Sequence, residues 1–251
     1  MKRALLLLAV LAGLCTSCSF YKPQAADIPL INHSGDLRVD GCVSMSTLTI
    51  FPTSTGAHLT GSYGINDWMA AQAHLALDGS EGGLGYMAIG AYYPYKKFVV
   101  EGYLGAGLGY TPPYNSGSNE SNVEDPTVET SSISYTRNDV RGGNYQTYFL
   151  QANVGWVDLA KGHIDIGFGI KQGWINSDFR TEHRTYHATT DTYTTDIVRY
   201  RGMTPITEPQ LMFRAGSQNL KFSLKLGFLI MPNAEFVYSN FTISAGINYR
   251  L

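Results

Sequence analysis

The feature that most constrains this chain is a two-residue alternation of apolar and polar side chains, repeated in short segments along the sequence. The last segment shows it clearly: Phe241, Ile243 and Ile247 alternate with polar residues such as Thr242 and Ser244. In a β-strand, successive side chains point to opposite faces, so this period predicts a strand with one apolar and one polar face. The predicted strand continues to the final residue of the sequence.

Ten segments of this kind are separated by turn or loop residues. They cover residues 36–45, 57–65, 68–77, 84–93, 98–110, 146–157, 163–175, 208–216, 220–230 and 241–251. The connections after the even-numbered segments are short, whereas those after the odd-numbered segments are usually longer and include 111–145 and 176–207. Short turns at one end and long polar loops at the other are typical of outer-membrane barrels. We therefore predict an all-β fold, a transmembrane up-and-down antiparallel β-barrel of about ten strands, over residues 36–251.

The end of the chain supports this fold by resemblance. The final strand ends in apolar Leu251 with aromatic Tyr249 two positions earlier, and it resembles the terminal strand of outer-membrane β-barrel proteins. That resemblance implies a last strand that pairs with the first and so leaves the sheet without an edge.

The two faces of the predicted strands differ in charge. One face carries apolar residues such as Leu104, Phe168 and Phe222, and it has no charged residue. A basic residue at mid-bilayer on such a face costs about 2–4 kcal/mol, so contact with lipid favours a face of this kind. A soluble, lipocalin-like barrel would instead place the apolar set inside, and the alternation alone does not exclude it. Aromatic residues near the strand ends, including Trp68 and Trp174, favour the membrane barrel.

The opposite face carries charges of both signs. They are Asp36, Arg38, Asp40, Glu101, Asp165, Lys171, Glu208, Arg214, Lys221, Lys225 and Arg250. An unpaired charge is costly in a narrow space of low dielectric constant, so these groups are expected to pair with one another. The sequence thus predicts a lumen largely plugged by a network of charged side chains.

The N-terminus has the pattern of an export signal. Residues 2–3 are basic and residues 4–14 are apolar, a run too short to span a bilayer. The following Cys-Thr-Ser-Cys-Ser, residues 15–19, resembles the cleavage site of bacterial lipoproteins, with Cys18 as the acylated residue. We expect residues 1–17 to be a signal peptide and residues 18–35 a lipidated periplasmic tether. An ordinary cleaved signal is the alternative.

A second resemblance points to the same compartment. Tyr21 and Pro23, followed by Pro29 and Leu30 just ahead of the first strand, are similar to the opening of small lipoprotein barrels of Gram-negative bacteria. The resemblance implies location in the cell outer membrane, with outer-membrane lipids as partners.

Composition excludes one class of function. Charged residues make up 15% of the chain and the net charge is −2, with no basic patch of the kind that nucleic-acid binding requires. We therefore expect no nucleic-acid partner.

No motif in the sequence indicates catalysis. His183, His187 and Asp191 have a spacing that could bind a metal on a helix, but the Thr- and Tyr-rich segment around them predicts extended chain. There is no Gly-x-Ser-x-Gly nucleophile motif. We expect no catalytic residues, no metal and no cofactor.

These observations predict a protein with a structural or surface-interaction role, in which long extracellular loops contact a ligand or partner protein. A narrow porin-like channel for small solutes is the first alternative, because the inner face is polar. An outer-membrane enzyme, such as an omptin-like hydrolase, is the second, and it rests on analogy of strand number alone.

Overall fold

The computed structural model describes residues 21–22, 24, 27–47, 52–78, 82–124, 132–187, 192–236 and 238–251. The strands are β1 (Leu37–Thr47), β2 (Pro52–Gly64), β3 (Met69–Asp78), β4 (Gly82–Tyr95), β5 (Phe98–Glu124), β6 (Ser132–Asp158), β7 (Ile164–His187), β8 (Thr192–Gly216), β9 (Leu220–Phe228) and β10 (Phe241–Arg250). One helical turn, α1 (Leu159–Gly162), joins β6 to β7. No helix within these ranges is long and apolar enough to cross a membrane.

The ten strands form a closed antiparallel barrel, which confirms the predicted fold class. The last strand closes the sheet on the first, in a continuous register from Arg38 opposite Arg250 to Thr47 opposite Phe241. Because β10 and β1 pair with each other, neither leaves an open edge in this part of the sheet.

The two ends of the barrel differ. The turn end holds the short connections after β2, β4, β6 and β8, together with the start of β1 and the end of the chain. The loop end is the opposite one, and there β5, β6, β7 and β8 extend well beyond their neighbours. We call the projecting residues 111–124, 132–144, 176–187 and 192–206 the loop-end extension.

The extension corrects the prediction of two long loops over 111–145 and 176–207. Most of both segments is β-strand, and β7 pairs with β8 up to His187 opposite Thr192. The alternation of apolar and polar residues ends where the strands leave the membrane, because strand residues beyond that point do not contact lipid. Thr and Tyr, which are common in 176–207, nevertheless favour extended chain.

The outer surface of the barrel is a broad apolar belt. Leu104 and Leu150 are each 61% exposed and Phe222 is 57% exposed. The residues that the sequence analysis assigned to the apolar face point outward, so the soluble-barrel alternative is wrong for this structure. Strand β4, which is apolar on both sides, directs Met87 outward and Tyr86 inward.

Exposed aromatic residues lie near both limits of the belt. Trp68 and Tyr95 are near the turn end, and Tyr110, Tyr148 and Trp174 are near the loop end. Bands of this kind are typical of the two membrane–water interfaces around a barrel.

The barrel interior contains the polypeptide that precedes β1. Ile28, Leu30 and Ile31 are fully buried there, and the chain joins the wall at the turn end, where the Gly35 amide donates to the Gly64 carbonyl at 2.8 Å. We call the described residues between 21 and 34 the plug segment. We expect residues 18–35 to form a lipidated periplasmic tether; the described residues of that range lie inside the barrel instead, where their backbone and apolar side chains find partners on the lumen wall.

Candidate functional site

The lumen and its plug segment contain most of the buried polar chemistry of the described chain. At the turn end, the inward strand positions bring together charges that are far apart in sequence. Arg38 lies 3.2 Å from Asp36 and 3.8 Å from Asp165, and Lys221 lies 2.6 Å from Asp165. Arg250 donates to Asp36 at 3.0 Å. Each charge in this group therefore has an opposite charge beside it.

A second group surrounds Asp40 at the next level of the lumen. Lys225 donates to the Asp40 carboxylate, and an Arg214 guanidinium nitrogen lies 3.6 Å from it. The Asn248 side-chain amide donates to the same carboxylate at 3.4 Å. Two cations and one amide thus surround a single buried acid.

Towards the loop end, Lys171 lies 3.8 Å from Glu208. Its ammonium nitrogen is also 4.5 Å from the ring centre of Tyr86 and 4.7 Å from that of Phe149, distances at which an aromatic face attracts a cation. All the lumen charges predicted from the sequence point inward, and all except Glu101 lie in ion pairs. Glu101 instead accepts hydrogen bonds, from the Asn153 side-chain amide at 3.0 Å among others.

The wall side chains bind the backbone of the plug segment. The Asp27 carbonyl accepts hydrogen bonds from the side-chain amides of Gln72 at 3.2 Å and Gln151 at 2.6 Å. The Arg214 guanidinium donates to the carbonyls of Ile28 and Pro29 at 3.0 and 3.2 Å. Buried backbone groups require such partners, and in this segment side chains supply what a strand ladder supplies elsewhere.

The same pattern continues towards the turn end. The Ile31 amide donates to the Glu101 carboxylate at 2.7 Å, and Arg250 donates to the Asn32 side chain at 2.7 Å. Glu101 therefore binds the plug segment rather than a cation of the wall.

Glycines on the inner faces of β6 and β7 make room for the plug. A Cβ atom at Gly155 would lie 2.8 Å from methyl carbons of Leu30, and one at Gly167 would lie 2.8 Å from a methyl carbon of Ile28. These separations are shorter than van der Waals contact, so a side chain at either position would compete with the plug for the same space. The inward glycines thus form the groove in which the plug lies.

The plug segment also fills the lumen near the loop end. Lys22 lies 2.7 Å from Asp78, the last residue of β3. The Tyr21 hydroxyl donates to Glu208 at 2.8 Å, and its ring packs edge-on against Tyr145 with ring centres 5.4 Å apart. Tyr21 also accepts a backbone hydrogen bond from Ser239 at 2.9 Å, which joins the plug to the connection before β10.

A chain of polar side chains runs from the wall to the plug. The Ser44 hydroxyl lies 2.6 Å from His58 Nε2, and His58 Nδ1 lies 3.5 Å from His74 Nε2. His74 Nδ1 is 3.0 Å from the Asp27 carboxylate, which also accepts a hydrogen bond from Thr60 at 2.6 Å. This set could not be predicted from the sequence, because its members lie on three strands and the plug and no local motif connects them.

The residue types in that chain occur in hydrolases, but their burial indicates a different role. Ser44, His58 and His74 are all at most 4% exposed, so a substrate would have to displace the plug to reach the serine. In the closed barrel, the chain of hydrogen bonds holds Asp27 against the wall.

The structure does not bring His183 and His187 together. His183 and His187 lie on β7, where they pair with Asp196 and Thr192 of β8, and four residues of strand separate two Cα atoms by about 13 Å. Asp191 and Cys18 lie outside the described residues. Among the residues that the structure describes, no group of three His, Cys, Asp or Glu side chains could hold a metal ion.

The outer face of the loop-end extension is polar and charged just beyond the apolar belt. Arg201 donates two hydrogen bonds of 2.9 Å to the Asp178 carboxylate, and Arg180 pairs with Glu182. The hydrogen bond from Arg201 holds the pKa of Asp178 below its ordinary value, so the pair remains charged at neutral pH. With Arg199, these residues line a groove open to solvent.

No protein-family model and no curated protein matches the sequence. Among solved structures, the chain is similar to OmpT, an outer membrane protein of Vibrio cholerae, with 11% identity, a TM-score of 0.20, and coverage of 90% of this chain and 100% of that one. It is also similar to the transport unit of the autotransporter AIDA-I from Escherichia coli, with 9% identity, a TM-score of 0.28, and coverage of 89% and 91%.

A third similar structure is an anion-selective porin from Comamonas acidovorans, with 8% identity, a TM-score of 0.18, and coverage of 86% of this chain and 98% of that one. At these TM-scores the similarities carry no functional argument, so the function of this chain is inferred from its own geometry.

Proposed function

We propose that this protein is an outer-membrane β-barrel with a closed lumen, and that its role is structural or surface-interacting and is carried by the loop-end extension. The observation that carries the proposal is the plug segment, which fills the lumen and is bound along its length by wall side chains. A barrel of about this strand number is narrow enough for side chains to fill without any plug. The plug segment occupies the space through which a solute would have to pass.

The apolar belt supports the outer-membrane location. Soluble monomers rarely expose contiguous apolar patches of more than a few hundred Å², whereas here apolar side chains such as Met87, 74% exposed, and Leu108, 68% exposed, surround the barrel. Only a closed barrel can place strands in lipid with their backbone groups satisfied. In that location the turn end faces the periplasm and the loop end faces outward.

The loop-end extension supports the surface role. Residues 192–206 of β8 pair with β7 on one side. On the other side, within the described part of the chain, the pairing of β8 begins at Thr207, which forms a bridge with Ile230 just after β9, and continues as a ladder with β9 from Gln210. Tyr193 is 75% exposed and Ile197 is 50% exposed on this part of β8. An exposed strand edge with apolar side chains is a surface that proteins use to bind extended partners. An extracellular protein or ligand is therefore the proposed partner class.

Planar-bilayer recording on the purified protein tests the closed lumen. The expected result is no stepwise conductance above background. Regular, voltage-stable steps from wild-type protein would instead support the alternative of a narrow channel for small solutes. A general porin recorded in the same bilayers is the control for reconstitution.

The proposal includes no enzymatic activity. The check is a hydrolase screen on purified protein, with the double variant His183→Ala, His187→Ala beside it. An activity that is present in the wild type and lost in this variant would favour the omptin-like alternative.

A further inference from the structure

Three successive rows of outward side chains cross the sheet from β5 to β8 where the apolar belt meets the loop-end extension. The lowest row is Leu108, Gln146, Asn176 and Met203, the middle row is Tyr110, Asn144, Asp178 and Arg201, and the upper row contains Gly142, Arg180 and Arg199. Residues directly opposite each other in an antiparallel ladder lie on the same face. The outer surface therefore changes from apolar through amide to basic over a short distance along the strands.

The spacing of these rows matches the layer of lipid head groups. Two residues of strand cover about 7 Å, and strands of outer-membrane barrels are tilted by about 35–45°, so each row lies about 5 Å above the one below it. The polar layer on one side of a bilayer is about 5–8 Å thick. Arg201 thus lies at the level of the head groups, and Arg180 and Arg199 lie at their outer limit.

The charges in these rows are not fully matched. Arg180 and Arg199 are directly opposite each other on β7 and β8, a position in which like charges destabilise an antiparallel pair. Arg180 pairs with Glu182, whereas Arg199 forms no ion pair with any residue in the described ranges. Arg201 uses two of its five N–H groups on Asp178. We call these three arginines the arginine cluster; with the two acids, they leave one net positive charge on this surface.

Two grooves in the same surface meet at Asp178. The lower groove, of about 450 Å³, is lined by Leu108 and Tyr110 together with amide side chains. The upper groove, of about 340 Å³, is lined by the arginine cluster. Gly142 lies beside Arg180 on β6 and adds no side chain to the floor of the upper groove. Both volumes are in the range of ligand sites, which is about 300–1,000 Å³.

We propose that the two grooves form one binding site for an anionic, phosphate-bearing lipid of the outer leaflet. This inference rests on the proposed outer-membrane location. An acyl chain of the lipid lies along Leu108 and Tyr110, and its phosphate lies within the arginine cluster. Guanidinium groups bind phosphate through pairs of parallel hydrogen bonds. A phosphate between Arg180 and Arg199 also removes the repulsion between these two residues.

Native mass spectrometry of the full-length protein in detergent tests the site. The probes are phosphatidic acid, diacylglycerol with the same acyl chains, and inorganic phosphate. We expect the wild type to retain phosphatidic acid in preference to diacylglycerol, and equimolar inorganic phosphate not to displace it. Equal retention of the two lipids would overturn the role of the phosphate. Displacement by equimolar inorganic phosphate would overturn the assignment of the site to a lipid.

A pair of charge-removing variants locates the binding site. Arg199→Gln removes a cation that has no ion pair with a described residue, and it should weaken binding of phosphatidic acid by about two- to fivefold. The matched control is Lys161→Gln, which removes the same charge from the exposed helical turn at the turn end and should leave binding unchanged. Equal binding by the two variants would overturn the assignment to the arginine cluster.

The variant Arg199→Glu separates binding from stability. It places a carboxylate opposite Arg180, so heat-dependent gel migration should show an unfolding midpoint no lower than that of the wild type. Binding of phosphatidic acid should nevertheless fall below that of Arg199→Gln. A folded Arg199→Glu variant that binds this lipid as the wild type does would contradict the proposal and leave the outer-membrane location standing. Wild-type protein that needs no detergent to stay in solution would instead reject the location itself.

Discussion

At the residue scale, the inward positions of this barrel are of two kinds: charges that pair across the lumen and glycines that leave space. Alternation alone is enough to predict which charges face inward, because a period of two fixes the face of each strand residue. It does not predict which charges meet. Asp40 and Lys225, for example, lie on β1 and β9, which do not pair with each other but both pair with β10.

The glycine groove gives the first prediction. Gly167→Val should destabilise the barrel by about 1–3 kcal/mol, because the added atoms overlap Ile28 and force repacking of a filled interior. The matched control is Gly102→Val, where an added Cβ meets only a backbone oxygen at 4.0 Å. Heat-dependent gel migration in detergent gives the unfolding midpoint of each variant. Equal midpoints for the two would show that the plug does not occupy the groove.

The buried ion pairs give the second prediction. Lys225→Met removes the nearest cation from Asp40, and breaking a buried pair in this way typically costs about 3–5 kcal/mol. Adding Asp40→Asn should recover part of the loss, since the unpaired buried charge is then gone. Arg201→Met, which breaks an exposed pair on the extension, should leave the denaturation midpoint close to wild type. Similar losses for Lys225→Met and Arg201→Met would contradict the burial of Asp40.

At the element scale, the strands in contact with the apolar belt could be predicted from the sequence, whereas the extension and the plug could not. A strand face in contact with lipid must be apolar, so every second residue is apolar in segments such as 98–110. Residues 111–124 have no such face, so their strand is not visible in the pattern of hydropathy. The plug segment has no ladder of its own and contains Pro29, so it resembles an irregular tether until its wall partners are known.

The plug gives the third prediction. Deletion of residues 21–34 should convert a silent barrel into one with stepwise conductance, because the wall charges would then border water instead of polypeptide. Planar-bilayer recording measures the change, and heat-dependent migration shows whether the deletion variant is folded. A folded deletion variant as silent as the wild type would mean that the wall side chains close the lumen by themselves.

At the scale of the whole molecule, the barrel has a lipid-facing belt, a charged and filled interior, and a polar extension on one end only. The alternation of short and long connections in the sequence predicts this difference between the two ends. It does not show that Lys22 lies near the loop end while Leu251 lies at the turn end, because nothing in the periodicity of the strands reports on polypeptide outside the sheet.

The belt gives the fourth prediction. The mature protein should require detergent to remain in solution and should fractionate with the outer membrane. In detergent, an unheated sample should migrate on a gel at a position different from that of a boiled one. Protein that stays soluble and monomeric without detergent would contradict a lipid-facing outer surface.

The plug segment precedes β1 in the chain, yet it is surrounded by all the later strands. A finished barrel filled with paired charges offers no passage through which this segment could be inserted afterwards. We therefore expect Leu30 and Ile28 to rest already against β6 and β7 when β10 docks onto β1. In such an order of assembly, closure of the β1–β10 seam is the step that fixes the plug segment inside the lumen.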